Sequence, residues 1–285
     1  MKTTRRPYQV FLLIVASLVT VFSAVAAPLF PQSPGMVSYT YRDQFAKDVP
    51  GTLDTIKALG VTNMEFSNLF GQTAADLRAM LDARGMVCSS FGVSYDDLRK
   101  KTAEVAGNAK TLGAKFVRVA WLPNCQPFTV EIAERTAADF DAVGKILKEE
   151  HGLTYCYHNH GYEFVKHGNG TLFDLLVEKT DPQYVSYELD ILWAFHPGAD
   201  PAAIIEKHGN RIKLLHLKDL KKGVTGDLSG KTPVENDVAL GTGQIDLPSV
   251  LKAAKKAGVL HYYIEDEIPN IATQVPQSIA YLKSL

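Results

Sequence analysis

The residues from Tyr155 to Phe164 read YCYHNHGYEF, an apolar alternation that runs directly into His158, Asn159, His160 and Glu163. Three later stretches end in the same manner. VSYELD closes on Glu188 and Asp190, IKLLHLKD on His216, Lys218 and Asp219, and HYYIEDE on Glu265, Asp266 and Glu267. Carboxylates gathered at the ends of buried strands repel one another and lose hydration unless a positive charge sits among them. A divalent cation held by one imidazole and several carboxylates resolves that conflict. An oxygen-rich set with one nitrogen suits Mn2+ best, with Mg2+, Co2+ or Zn2+ as the other candidates.

Side chains of a strand alternate between its two faces. Glu188 and Asp190 therefore share a face, with Asp190 nearer the strand end. His216 and Lys218 share one, leaving Asp219 on the other or in the loop, and Glu265 shares one with Glu267. This alternation selects Asp190, His216 and Glu265 as metal ligands. Lys218, two residues beyond His216, is placed to stabilise an enolate oxygen. Glu65, ending the run TNMEFS, is placed to hold a substrate hydroxyl. Trp121 and Trp193 each follow a strand and could wall a bound substrate, with His160 as a further substrate contact.

Such residues need a scaffold that brings distant strand ends together. Eight β-type runs, at 36–41, 62–67, 86–91, 114–121, 153–160, 185–190, 212–219 and 261–266, alternate with amphipathic stretches. Two of the latter, AADLRAMLDARG and TVEIAERTAADFDAVGKILKEEHG, end on glycine, which suits a left-handed helix cap. Strands that alternate with helices pair in parallel through right-handed crossovers. Eight of them predict a single-domain α/β fold, a (β/α)8 TIM barrel, whose chemistry lies at the C-terminal ends of its strands. The charged residues of this sequence stand at those ends.

The chain has 285 residues, with 30 Lys and Arg against 31 Asp and Glu. Lys2, Arg5 and Arg6 precede the apolar run VFLLIVASLVTVF and then SAVAAP, with Ala24 and Ala26 at the small positions of a cleavage site. This pattern reads as a secretory signal over 1–26, with the barrel at 27–285, and so as a secreted or periplasmic protein. The run is short of the ~20 residues of a membrane span, so no membrane association is expected after cleavage. Loss of three positive charges takes the net charge to −1 − 3 = −4, against the basic face that a nucleic-acid partner wants. Cys88, Cys125 and Cys156, in or near strands, read as buried free thiols. An oligomer is compatible with this composition.

YHNHGYEF, ELDILWAFHPGADP, GNRIKLLHLKD, LGTGQIDLPSVL and YYIEDE, in that order and preceded by VSYTYRDQF and NMEFSNLFG, resemble the xylose isomerase-like TIM barrel superfamily, the sugar phosphate isomerase/epimerase group. The resemblance implies a metal set of Glu, Asp, His and Glu on strands five to eight, the last three being Asp190, His216 and Glu265. Strand five departs, because His158-Asn159 stands where many members carry Glu-Asn. Either His158 ligates the metal or Glu163 folds back from the loop to do so. The reading taken is Glu163 as ligand and His158 as base or acid. The resemblance further implies a metal-dependent sugar isomerase or epimerase that abstracts a proton next to a carbonyl and stabilises the enediolate, with Glu265 as ligand and base. A keto-sugar dehydratase or lyase, a 3-keto-glycoside hydratase, and a barrel that only binds sugar are the alternatives. Export and the lack of a basic phosphate pocket point to an unphosphorylated sugar or glycoside.

Overall fold

A computed structural model describes residues 33–285; the stretch read as a signal, 1–26, lies outside them. Eight strands form a closed barrel: β1 (Gly35–Val37), β2 (Asn63–Phe66), β3 (Val87–Gly92), β4 (Phe116–Val119), β5 (Thr154–His158), β6 (Val185–Asp190), β7 (Ile212–Leu217) and β8 (His261–Ile264). They follow one another in chain order around the wall, every pairing is parallel, and β8 closes onto β1. This is the expected (β/α)8 barrel. The first strand is shorter than the sequence suggests. Extended backbone stops at Val37, and Ser38–Tyr41 coils into a 3-10 turn whose Ser38 hydroxyl accepts the Ser67 amide at 2.8 Å. The alternation of SYTY reflects burial of Ser38, Thr40 and Tyr41 by the turn, not a pleat.

The helices form where polar caps meet apolar periodicity. Helix Ala74–Asp82 starts at Thr73, whose hydroxyl accepts the Asp76 amide, and helix Val130–His151 starts at Thr129 in the same way. The latter buries Ala133, Ala137, Phe140, Val143, Gly144 and Leu147, one stripe of a 3.6-residue period, and ends at Gly152 with φ 69°. No helix among the described residues is long and apolar enough to cross a membrane. Cys88, Cys125 and Cys156 are buried and free.

The barrel interior is layered, and the layering positions the site. Val37, Phe116, Cys156, Leu214 and Tyr263 form a small apolar cluster of their own. Two residues further along the same strands, on the same face, stand Arg118, His158, His216 and Glu265. The register shifts between Met64 and Glu65 and between Tyr187 and Glu188, one residue before each buried interior acid. Such bulges re-aim side chains next to functional sites.

Gly144 gives the helix–barrel packing a test. A Cβ there would come within 2.6 Å of the Tyr184 carbonyl oxygen, which is backbone and cannot swing aside. The clash outweighs the ~1 kcal/mol that Ala gains over Gly in a helix. Gly144→Ala is expected to lower stability by about 1–3 kcal/mol in urea unfolding.

Candidate functional site

Four side chains meet at the C-terminal mouth. His158 ends β5, Asp190 ends β6, His216 lies in β7 and Glu265 follows β8, and one ligand atom from each lies within 4.8 Å of all the others. His158 Nε2 faces His216 Nδ1 at 3.1 Å and Asp190 Oδ2 at 3.4 Å. His216 Nδ1 is 3.9 Å from Asp190 Oδ2 and 2.5 Å from Glu265 Oε2. Nitrogen and oxygen ligands about 2.0–2.2 Å from a divalent ion lie roughly 3–3.5 Å from one another. Both His158 distances fall in this range, while His216 and Glu265 are directly hydrogen-bonded and would have to part around an ion. Asp190 Oδ2 is buried and accepts no hydrogen bond, while Oδ1 caps the helix Ile191–Phe195 through the Trp193 amide at 2.9 Å. Asn159 fixes this strand end by accepting the Asp190 amide at 2.9 Å and donating to the Asp190 carbonyl at 3.3 Å. The donor set therefore suits a divalent cation, with two imidazoles where one was expected.

A second layer lies beneath. His216 Nε2 donates to Glu65 Oε1 at 2.8 Å and is 3.2 Å from Glu188 Oε2. Arg118 bridges both acids, 2.6 Å from Glu65 and 3.4 Å from Glu188. With Nε2 thus committed, Nδ1 is the nitrogen turned toward the quartet, the arrangement by which outer carboxylates orient metal-binding imidazoles. Burial opposes charge on every one of these groups, and the neighbours decide the outcome. Arg118 and His216 hold the Glu65 carboxyl well below its usual range. Glu188, burdened by burial and by the charge of Glu65, is pushed well above. His216 is raised well above its usual value by Glu188, Glu265 and Glu65.

Glu65 is thus an orienting residue under the mouth and does not line the cavity where a substrate hydroxyl would sit. Arg118 was not singled out in the sequence, although an arginine inside the apolar strand FVRV was the visible signal. Glu163 also differs from the expectation. It lies in the 3-10 turn Tyr162–Phe164, fully buried, and accepts the Tyr157 hydroxyl at 2.6 Å and the His160 amide at 3.0 and 3.1 Å. The turn starts so soon after β5 that the carboxylate folds under its own loop, and His158 takes the place in the quartet. With Nε2 in the quartet, His158 is not disposed as a free base.

Lys218 is buried among Glu267, Glu265 at 3.5 Å and Asp237 at 3.7 Å, with the Trp193 ring centroid 5.4 Å from its Nζ. Although burial opposes it, these acids raise its pKa well above the usual value, so it carries a charge and cannot act as a base at neutral pH. The mouth opens into a cavity of about 870 Å³ that reaches His158, His160, His216, Glu265 and Glu267 as well as Trp121 and Trp193. His160 is neutral, its pKa lowered to about 3 by burial and by His158, and its buried Nδ1 has no hydrogen-bond partner.

The connection after β7 crosses this mouth. Its Ser229 carbonyl accepts Gln126 Nε2 at 2.9 Å, and its Asp227 amide donates to His196 Nδ1 at 3.2 Å. Asp219 roots the far end of that connection by accepting the amides of Gly241, Gly243 and Ile245 at 2.8–3.1 Å. A side chain at Gly243 would collide with the Asp219 carboxylate, which accounts for the second glycine of LGTGQ.

A sequence model described as xylose isomerase-like TIM barrel matches residues 53–285. The chain belongs to this family. An inosose dehydratase of Geobacillus kaustophilus (strain HTA426) is 26% identical over 212 residues, 67% of this chain and 66% of that protein. The chain thus spans just under two thirds of that relative's length. Among solved members of the fold, a sugar phosphate isomerase/epimerase from Parabacteroides distasonis ATCC 8503 superposes with a TM-score of 0.71 at 24% identity, covering 95% of this chain and 98% of its own. IolI, in a structure described with a binding zinc atom, gives 0.68 at 18% identity, covering 89% and 96%.

Two outcomes test the site. Protein reconstituted with Mn2+ or Zn2+ should hold about one equivalent by elemental analysis. Asp190→Asn should weaken that binding at least tenfold, and Glu163→Gln should leave it unchanged. Burial raises the Glu163 pKa from 4.5 to about 8, so between these values the folded chain holds a proton that the unfolded chain has lost. Its contribution to stability is present at low pH and lost as pH rises through about 8. Urea unfolding should therefore show the wild type losing stability relative to Glu163→Gln over this window, by at most about 1.4 kcal/mol per pH unit.

Proposed function

We propose that this protein is an exported, divalent-metal-dependent enzyme that enolises an unphosphorylated keto-sugar or sugar and so isomerises or epimerises it. The observation that carries the reading is the quartet of His158, Asp190, His216 and Glu265 around one point at the floor of the cavity. These four would hold Mn2+, Co2+ or Zn2+; the second imidazole makes the set less oxygen-rich than Mg2+ prefers. The ion, when bound, supplies Lewis-acid stabilisation of the negative charge that develops on the carbonyl and adjacent hydroxyl oxygens.

The chain supplies the rest. Glu265 is held ionised: burial opposes this, but Lys218 and His216 keep its pKa well below the usual range. It is the carboxylate placed to take the proton next to the carbonyl. Lys218, expected to meet an enolate oxygen, does not line the cavity; its positive charge lies behind Glu265 and Glu267, which do, and is spent on them. His160, neutral and with a free ring nitrogen, lines the cavity after β5 and can hydrogen-bond a substrate hydroxyl. Trp193, beside Lys218, walls the ring at the quartet. Support for an unphosphorylated substrate comes from the lining. Its cations apart from histidine are Arg118 and Lys231, and Arg118 is already engaged by two acids, while Asp96, Glu265 and Glu267 face the same space. The pattern from Lys2 to Ala26 supports export.

A second reading is favoured by one feature. With His158 in place of a strand-five carboxylate, two matched carboxylate bases do not flank the substrate, so the same enolisation is suited to expelling a β-substituent, as a dehydratase or lyase does. The similarity to an inosose dehydratase points the same way. Metal-loaded protein in D2O with a panel of unphosphorylated ketoses and 3-keto-glucosides, read by NMR, separates the two. Isomerisation appears as deuterium at the carbon next to the carbonyl, and elimination as a new enone. EDTA should abolish either signal, and Glu265→Gln should reduce it by about 10²–10⁴. Metal-loaded protein that exchanges no proton with any of these sugars would overturn the enolisation reading.

A further inference from the structure

The cavity extends well beyond the quartet. His158, Asp190, His216 and Glu265 stand at the ends of β5 to β8, yet the wall continues around the opposite half of the rim through Tyr39, Asn68, Tyr95, Asp96 and Trp121. A volume of about 870 Å³ lies near the upper end of the roughly 300–1,000 Å³ typical of sites for drug-sized ligands, which are larger than one sugar ring.

The chemistry of this second half suits a sugar. Among the described residues, the only exposed Phe, Tyr or Trp side chains are Tyr39 at 40% and Trp121 at 42%, and both line this cavity. The Trp121 ring is braced, not loose. It meets His160 edge-on with centroids 5.0 Å apart and Tyr162 at 5.3 Å, and those two rings lie parallel to each other at 1°. A rigid exposed indole loses little side-chain entropy when a ligand covers it. Polar groups surround it. Asn68 spends its Oδ1 on the Phe70 amide at 2.6 Å, which leaves its NH2 donors without a protein partner among the described residues. Asp96 and Thr232 offer further oxygens. The two described non-glycine residues with positive φ, Phe70 at 50° and Asn124 at 53°, sit in the loops that carry Asn68 and Trp121. The backbone is thus held in costly conformations where those side chains are presented.

We propose that this half of the mouth is a second sugar subsite and that the substrate is a glycoside, with the carbonyl-bearing ring at the quartet and the attached ring on the face of Trp121. The inference rests on the proposed function for the position of the first ring alone.

Binding without turnover tests it. Metal-loaded protein is titrated calorimetrically with D-glucose and with maltose, trehalose, cellobiose and sophorose, which sample α and β linkages. At least one disaccharide should bind tenfold or more tighter than glucose. Trp121→Ala should remove that advantage and leave glucose binding within about twofold, and Trp121→Phe should restore most of it. Thermal unfolding checks that both variants are folded. No disaccharide binding above glucose, or a preference that survives Trp121→Ala, overturns the subsite. Metal content and proton exchange are read on the same preparations. Absence of the preference in the wild type with metal and exchange intact sinks this inference alone, and a Trp121-dependent preference without metal or exchange sinks the proposed function alone.

Discussion

The structure depends on charge compensation inside the barrel. Glu65, Glu188, Asp190 and Glu265 are all buried, and each faces a cation drawn from another strand. A buried carboxylate without a partner costs several kcal/mol, and removing one member of such a network leaves the others exposed to that cost. Arg118 neutralises the lower layer, which frees His216 to turn its other nitrogen upward. Lys218 does the same at the rim for Glu265 and Glu267. Where these two fixed cations end, Asp190 Oδ2 is left without a hydrogen bond. Glu65 Oε2 and both Glu188 oxygens lack hydrogen bonds as well, so the interior is short of donors around its acids.

The apolar cluster beneath this ionic layer sets its height. Phe116, Cys156, Leu214 and Tyr263 fill the interior below, so the next inward-facing positions of their strands must carry the polar residues. The strand bulges before Glu65 and Glu188 then turn both acids toward Arg118. Packing, pleat and pairing register therefore act together to deliver the quartet.

Much of this was legible in the sequence because the barrel uses local rules. Period-two alternation identified Asp190, His216 and Glu265 on one face each, and strand order made their ends neighbours. What was missed involved either local chain reversals or partners far apart in sequence. Glu163 lies close enough to fold back toward the mouth, but its carboxylate is captured by the His160 amide within its own turn. Glu65 reads as a rim residue until Arg118, 53 positions away, is seen to hold it below the rim. Ser38–Tyr41 alternates like a strand yet coils, because a hydroxyl-to-amide bond to Ser67 replaces the ladder.

The segment that follows β7 is pinned at Gln126, at His196 and, through Gly230, within 3.2 Å of where a Cβ on Gly161 would lie. It acts as a keystone across three other connections. A change in the length or shape of this segment disturbs its contacts with the connections after β4, β5 and β6 together. Transplanting it between members of the family would call for all four pieces at once.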